Sequence, residues 1–131
     1  MVSISFSVFK DKILDGTKKQ TIRKYNEKRF QQLTNAKTYQ LYWGNWRNDN
    51  KELLKEVESI QPIIIKFDVG HGIINTGYLP GHNAFILSIE ERDKLAQADG
   101  FTNYNELLEW FINKYGVVTT FNEKFIVVRW K

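Results

Sequence analysis

Residues 16–23 read Gly16-Thr17-Lys18-Lys19-Gln20-Thr21-Ile22-Arg23. A short amphipathic run precedes the glycine, with Phe9, Ile13 and Leu14 at helical spacing. That pattern predicts a short helix closed by Gly16 at C′, because glycine enters the left-handed region at little steric cost. The β-favouring Gln20-Thr21-Ile22-Arg23 then predicts a strand. If residues 19–23 are extended, alternation places Lys19, Thr21 and Arg23 on one face and turns Ile22 into a core. One stretch thus carries a hydroxyl and several cations to one place, anchored from behind by an isoleucine. That arrangement suits an anion-facing site. It equally suits an ordinary exposed edge, since edge strands are often defended with lysine.

The rest of the chain sets this stretch among short strands. Val2, Ile4, Phe6 and Val8 alternate with serines, which predicts a first strand. Residues 26–33 read as a helical turn or a polar loop. Residues 37–44 read as an aromatic-rich strand, followed by a polar loop over 44–50 that carries Trp46 and Arg47. Residues 51–60 fit either a helix or a twisted strand with one bulge. Pro62 is expected to end that segment by removing a backbone donor. Ile63, Ile64, Ile65, Phe67 and Val69 predict a further strand. Residues 69–83 are glycine-rich and loop-like, with a brief strand at Ile73 and Ile74. Residues 84–87 are short and apolar.

Two capped helices and a closing strand complete the pattern. Ser88 with Glu91 forms a capping box for a helix to about Ala98, ended by Gly100. Asn103 with Glu106 repeats it before Tyr104, Leu107, Leu108, Phe111, Ile112 and Tyr115, an amphipathic helix ended by Gly116. Residues 124–131 alternate and close the chain as a strand. No regular strand–helix repeat of the parallel kind occurs, so an α+β fold is expected, a small mixed β-barrel with flanking helices. The 131 residues are expected to form a single domain over 1–131.

Composition narrows the function classes. With 42% hydrophobic and 15% aromatic residues the chain is not disordered. The absence of cysteine excludes disulfides and thiolate zinc sites, and fits a cytoplasmic setting. The first residues lack a basic segment followed by an apolar run, so no signal peptide is expected, and no apolar stretch is long enough for a membrane span. The net charge of +4 is uneven: residues 1–50 hold ten Lys/Arg against four Asp/Glu. Such asymmetry favours a polyanionic partner, with RNA or single-stranded nucleic acid first in line.

The chemistry-bearing residues follow. Lys18 and Arg23 are candidates to hold an anionic or carbonyl-bearing ligand, with Thr21 as a hydroxyl contact. A reactive Thr21 would need a base, and Lys18 could serve only if desolvation or a nearby cation such as Lys19 or Arg23 lowered its pKa. Trp46 is a stacking candidate beside Arg47, while Tyr42 and Trp43 must face opposite ways, so that at least one belongs to the core. His71 and His82 have no carboxylate at ligand spacing, so neither a metal site nor a cofactor is expected. Asp99 lies at a helix end, where a carboxylate opposes the helix dipole. It gains interest only if the fold brings it to Lys18 or Thr21.

Three segments together resemble the ASCH family, small proteins of PUA-like fold. The first runs from Phe6 through Ile13-Leu14-Asp15-Gly16 to Arg23 and is similar to the family's Ile-Leu-x-Gly-x-Lys-x-x-Thr-x-Arg signature. The second is Leu41-Tyr42-Trp43-Gly44-Asn45-Trp46-Arg47. The third joins residues 96–101, residues 107–111 and Val127-Val128-Arg129-Trp130. The resemblance implies a PUA-like barrel with a cleft lined by the signature lysine, threonine and arginine. It also implies a nucleic-acid-related role; together with the basic and aromatic residues above, the expected contacts to RNA or a modified nucleotide are Lys18, Lys19, Arg23, Trp46 and Arg47. One branch of the family hydrolyses N4-acetylcytidine with a lysine, a threonine and a glutamate. By position these fall at Lys18, Thr21 and Asp99, the last one carbon shorter than glutamate. Other members are similar to ribonucleases.

Overall fold

The computed structural model describes residues 2–44, 51–76 and 84–131. Trp46, Arg47 and His82 lie outside the described residues. The elements run β1 (Val2–Phe6), α1 (Lys10–Leu14), β2 (Gln20–Lys24), α2 (Glu27–Asn35), β3 (Thr38–Trp43) and β4 (Glu52–Asp68). They continue with β5 (Gly72–Asn75), β6 (Phe85–Ile86), α3 (Ile89–Ala98), α4 (Tyr104–Tyr115), α5 (Val117–Asn122) and β7 (Lys124–Trp130). The fold is α+β, with a strongly curled half-barrel sheet and several helices. No helix among the described residues is long and apolar enough to cross a membrane.

β4 is the axis of the sheet. It pairs antiparallel with β3, β5 and β7, and β7 in turn pairs antiparallel with β2. β1 pairs with β3 in parallel. Among the described residues β1 and β2 are not paired with each other, so a seam remains between them.

Pro62 does not end its segment. β4 runs through it as one strand, and the ladder to β7 shifts register between Ile60 and Ile63. The missing N–H of proline is harmless at such an irregularity. The Arg129 guanidinium donates to the carbonyl of Gln61 at the same place. Residues 51–60 are thus the first half of this strand rather than a helix. Residues 26–33 resolve as α2, with the Asn26 side chain accepting from the Arg29 N–H at 2.9 Å. The short α5 has no counterpart in the sequence pattern.

The capping signals hold elsewhere. Ser88 and Glu91 make the reciprocal capping box of α3, and Asn103 caps α4. Gly16 takes φ +84° after α1, as its place at C′ requires. Along β7 alternate side chains enter two separate cores. Phe125 and Val127 join Ile22, Phe67, Leu107 and Phe111 beneath α3 and α4. Ile126, Val128 and Trp130 join Ile4, Phe6, Ile13, Tyr39 and Leu41 on the other face. A fully buried side chain of this kind stabilises the fold by about 1.5–3 kcal/mol, so burial on both faces makes β7 the strand that unites the two halves. Ile22 enters the first core, as alternation requires of the residue behind Thr21 and Arg23.

Candidate functional site

The site forms where two helix C-termini meet. α1 ends at Asp15 and Gly16, and the Lys18 N–H donates back to the Lys12 carbonyl at 2.9 Å. α3 ends in a Schellman motif: Gly100, at φ +105°, donates to Gln97 and Phe101 donates to Ala96, each at 3.0 Å. This motif turns Asp99, the C-cap residue, inward, where it is 4% exposed.

Three donors from α1 and the loop after it satisfy the carbonyls at the end of α3. The Lys19 N–H donates to the Ala98 carbonyl at 2.8 Å, Lys18 Nζ donates to the Asp99 carbonyl, and Lys12 Nζ donates to the Gly100 carbonyl. Lysines are favoured there because the last carbonyls carry the negative end of the helix dipole. Of these lysines, Lys18 also offsets the carboxylate that the dipole opposes. Gln20 adds a further tie, donating from Nε2 to the Leu95 carbonyl at 2.8 Å.

Lys18 Nζ lies 3.5 Å from Asp99 Oδ2, and both side chains are almost fully buried. Burial pushes the Lys18 ammonium below its ordinary range, with Asp99 opposing that fall. Burial likewise pushes the Asp99 carboxyl upward, opposed by Lys18, Gln20 and Arg23. Among the described residues Asp99 Oδ1 is buried with no hydrogen-bond partner. An acceptor left so costs about 1–3 kcal/mol.

Beside this pair a cleft of about 60 Å³ is lined by Lys18, Thr21, Arg23 and Asp99, with Phe6, Phe9, Trp110 and Lys114 among its walls. The Thr21 hydroxyl accepts from Arg23 Nε at 3.2 Å, and Arg23 Nη2 donates to the Ser5 carbonyl at 2.6 Å. Among the described residues the Lys18 ammonium is hydrogen-bonded to Asp99, not to Thr21. Lys18 Nζ also lies 5.3 Å from the centre of the Phe9 ring, and the Arg23 guanidinium carbon lies 5.2 Å from that of Phe6. Phe9 is in the left-handed region at φ +64°, a conformation that costs a bulky residue on the order of 1–3 kcal/mol. Its ring packs edge to face on Phe101, with centroids 5.1 Å apart.

The fold therefore brings together Lys18, Thr21, Arg23 and Asp99, four of the residues singled out from the sequence. Lys19 does not join them: its side chain is exposed and does not line the cleft. It precedes β2, and its backbone is spent on Ala98 and on Trp130, whose N–H donates to the Lys19 carbonyl at 3.1 Å. Trp46 and Arg47 fall outside the described residues. Tyr42 and Trp43 are both half-buried, with Trp43 packed against the second core. His71 is exposed and pairs with Asp68 at 2.7 Å in the β4–β5 turn.

Trp110 and Lys114 were not foreseen. They sit at i and i+4 on α4, beside the apolar stripe, with Lys114 Nζ 4.8 Å from the Trp110 ring centre. A tryptophan off the stripe with a lysine one turn later was the available signal. Compared with models of known protein families, with curated proteins and with solved structures, the chain matches none.

Proposed function

We propose that this cleft binds the edge of an unpaired or modified base, in RNA, in single-stranded nucleic acid or in a free nucleoside. The reading follows the ASCH and PUA-like resemblance, and the observation that carries it is the unpartnered Asp99 Oδ1 beside Lys18. A base edge sets N–H donors next to carbonyl or ring-nitrogen acceptors. Asp99 supplies the acceptor for the first, and Lys18 and Arg23 supply donors for the second. Phe9 and Trp110 are aromatic walls against which the base would pack, with Lys18 and Lys114 beside their rings. At about 60 Å³ the cleft suits one edge of a base rather than a whole nucleoside. The basic first half of the chain suits the backbone that follows, in a cytoplasmic protein.

Calorimetric titration with the common nucleosides, N4-acetylcytidine and short single-stranded RNA tests this. Binding of at least one is expected, weakened by Asp99→Asn, with RNA affinity falling as salt rises. No binding to any of them overturns the reading.

A second reading is favoured by the depressed pKa of Lys18. In an amidohydrolase, Thr21 Oγ would attack the acyl carbon while Lys18 took its proton. The amine would leave protonated, and water would release the acyl group. The Thr21 hydroxyl now engages Arg23, so this chemistry requires Lys18 to turn from Asp99 to Thr21. Cytidine release from N4-acetylcytidine, lost in Lys18→Ala and Thr21→Ala, decides for it. Cleavage of labelled RNA would point instead to a ribonuclease.

A further inference from the structure

The seam between β1 and β2 holds a second set of donors. Arg23 Nη2 donates to the Ser5 carbonyl at 2.6 Å and Arg29 Nη2 donates to the Ser3 carbonyl at 2.8 Å, so two guanidinium groups lie along the open edge of β1. A cavity of about 270 Å³ opens there, lined by Ser3, Ser5, Arg23, Arg29 and Val128 among others. Both arginines are half-buried. Among the described residues no carboxylate lies within ion-pairing distance of either, and Arg23 Nη1 and Arg29 Nε have no hydrogen-bond partner. Burying a cation without a counter-ion is costly, and two side by side also repel. Capping two strand carbonyls accounts for one nitrogen of each guanidinium and gives neither a counter-ion of its own, since the Asp99 carboxylate, which attracts Arg23 from beyond ion-pairing distance, is paired with Lys18.

We propose that the β1–β2 seam is a phosphate-binding site, in which Arg23 and Arg29 together hold one phosphate group. A tetrahedral oxyanion accepts from several guanidinium N–H groups at once, as the planar fork of arginine favours. The odd-numbered residues of an unpaired edge turn N–H groups in the same direction as the two carbonyls, so the Ser3 and Ser5 amides add neutral donors. Arg23 and Ser5 line both the seam cavity and the cleft. Where the base-edge reading of the cleft holds, on which this extension rests, base and phosphate belong to one ligand, and the protein prefers nucleotides and nucleic acid to nucleosides. Inorganic phosphate carries the same chemistry without a base.

The experiment pairs inorganic phosphate, followed by ³¹P line broadening, with calorimetry of each nucleoside against its 5′-monophosphate. Wild type is compared with Arg29→Gln and Arg29→Lys, each checked for an intact thermal transition. Phosphate is expected to bind wild type, and Arg29→Gln to weaken it about tenfold or more, with partial retention in Arg29→Lys. Monophosphates are expected to bind more tightly than nucleosides, and Arg29→Gln to erase that advantage. Phosphate binding that depends on Arg29 without any nucleoside binding upholds the seam and rejects the cleft reading. Nucleosides and monophosphates binding equally, with Arg29→Gln silent and no phosphate broadening, overturns the seam site while leaving the cleft reading standing. Unfolding of Arg29→Gln moves the decision to Arg29→Lys and to the wild-type comparison of nucleoside with monophosphate. Equal affinities there overturn the proposal.

Discussion

Lys18 and Asp99, 81 residues apart in sequence, form a buried pair with Nζ 3.5 Å from Oδ2, and Lys18 also donates to the carbonyl of the same aspartate. The lysine thus closes a helix C-terminus and faces a cleft with one group.

Removing one member of this pair leaves the other buried and uncompensated. Lys18→Met or Asp99→Leu alone is expected to destabilise the fold by about 3–5 kcal/mol. The double variant is expected to lose less than the sum of the two. Urea unfolding of the four proteins measures the coupling, and strict additivity would contradict the pairing.

The pair also sets a pH dependence. The folded Asp99 pKa is raised above the ordinary 3.8, so its contribution is fully present below 3.8 and is lost as pH rises through the folded value. The folded Lys18 pKa is lowered below 10.5, so the native state holds fewer protons than the unfolded chain between the folded value and 10.5. Stability therefore recovers as pH climbs through that window. Wild type, referred to the double variant, is expected to lose stability above pH 3.8 and regain it towards 10.5. A flat difference across both windows in denaturant midpoints would refute this.

Trp110→Ala is expected to weaken a stacked ligand by about 1–3 kcal/mol, as loss of one base–aromatic contact does. Trp110→Phe should retain most of the affinity. Calorimetric titration of both with whichever nucleoside binds wild type checks this, and equal affinities in all three proteins would place the ligand away from Trp110.

Gly100 and Gly16 both hold positive φ, at +105° and +84°. A Cβ on Gly100 would lie 3.2 Å from the Phe9 ring, whereas one on Gly16 would meet nothing within 4 Å. Gly16→Ala is expected to cost about 1–2 kcal/mol of left-handed strain, and Gly100→Ala more, because Phe9 must also move. Thermal melts rank the two, and a Gly100→Ala no worse than Gly16→Ala would mean that the Phe9 ring yields freely.

Much of the candidate site was legible before folding. Thr21 and Arg23 at alternate positions of a strand, with Ile22 behind them, follow from period-two geometry alone. Lys19 fitted that alternation equally well, yet it lies just before β2 and its side chain is exposed. Arg29 lies in a segment whose sequence fits a helical turn or a polar loop, and only its place at the seam, with Nη2 on the Ser3 carbonyl, gives it a role.

What the sequence determined by itself is local. The Gly16 cap, the Ser88–Glu91 box, the apolar stripe of α4 and the alternation of β7 are interactions among residues a few positions apart, so their signals survive in one dimension. What only the tertiary structure decided is which ends meet. Pro62 could remain inside β4 because the irregularity beside β7 needs no N–H there. Asp99 could become part of a site because the end of α3 packs on the loop after α1. Burial then changes the chemistry of both charges, since a lysine and a carboxylate removed from water depend on each other in a way that neither does when solvated.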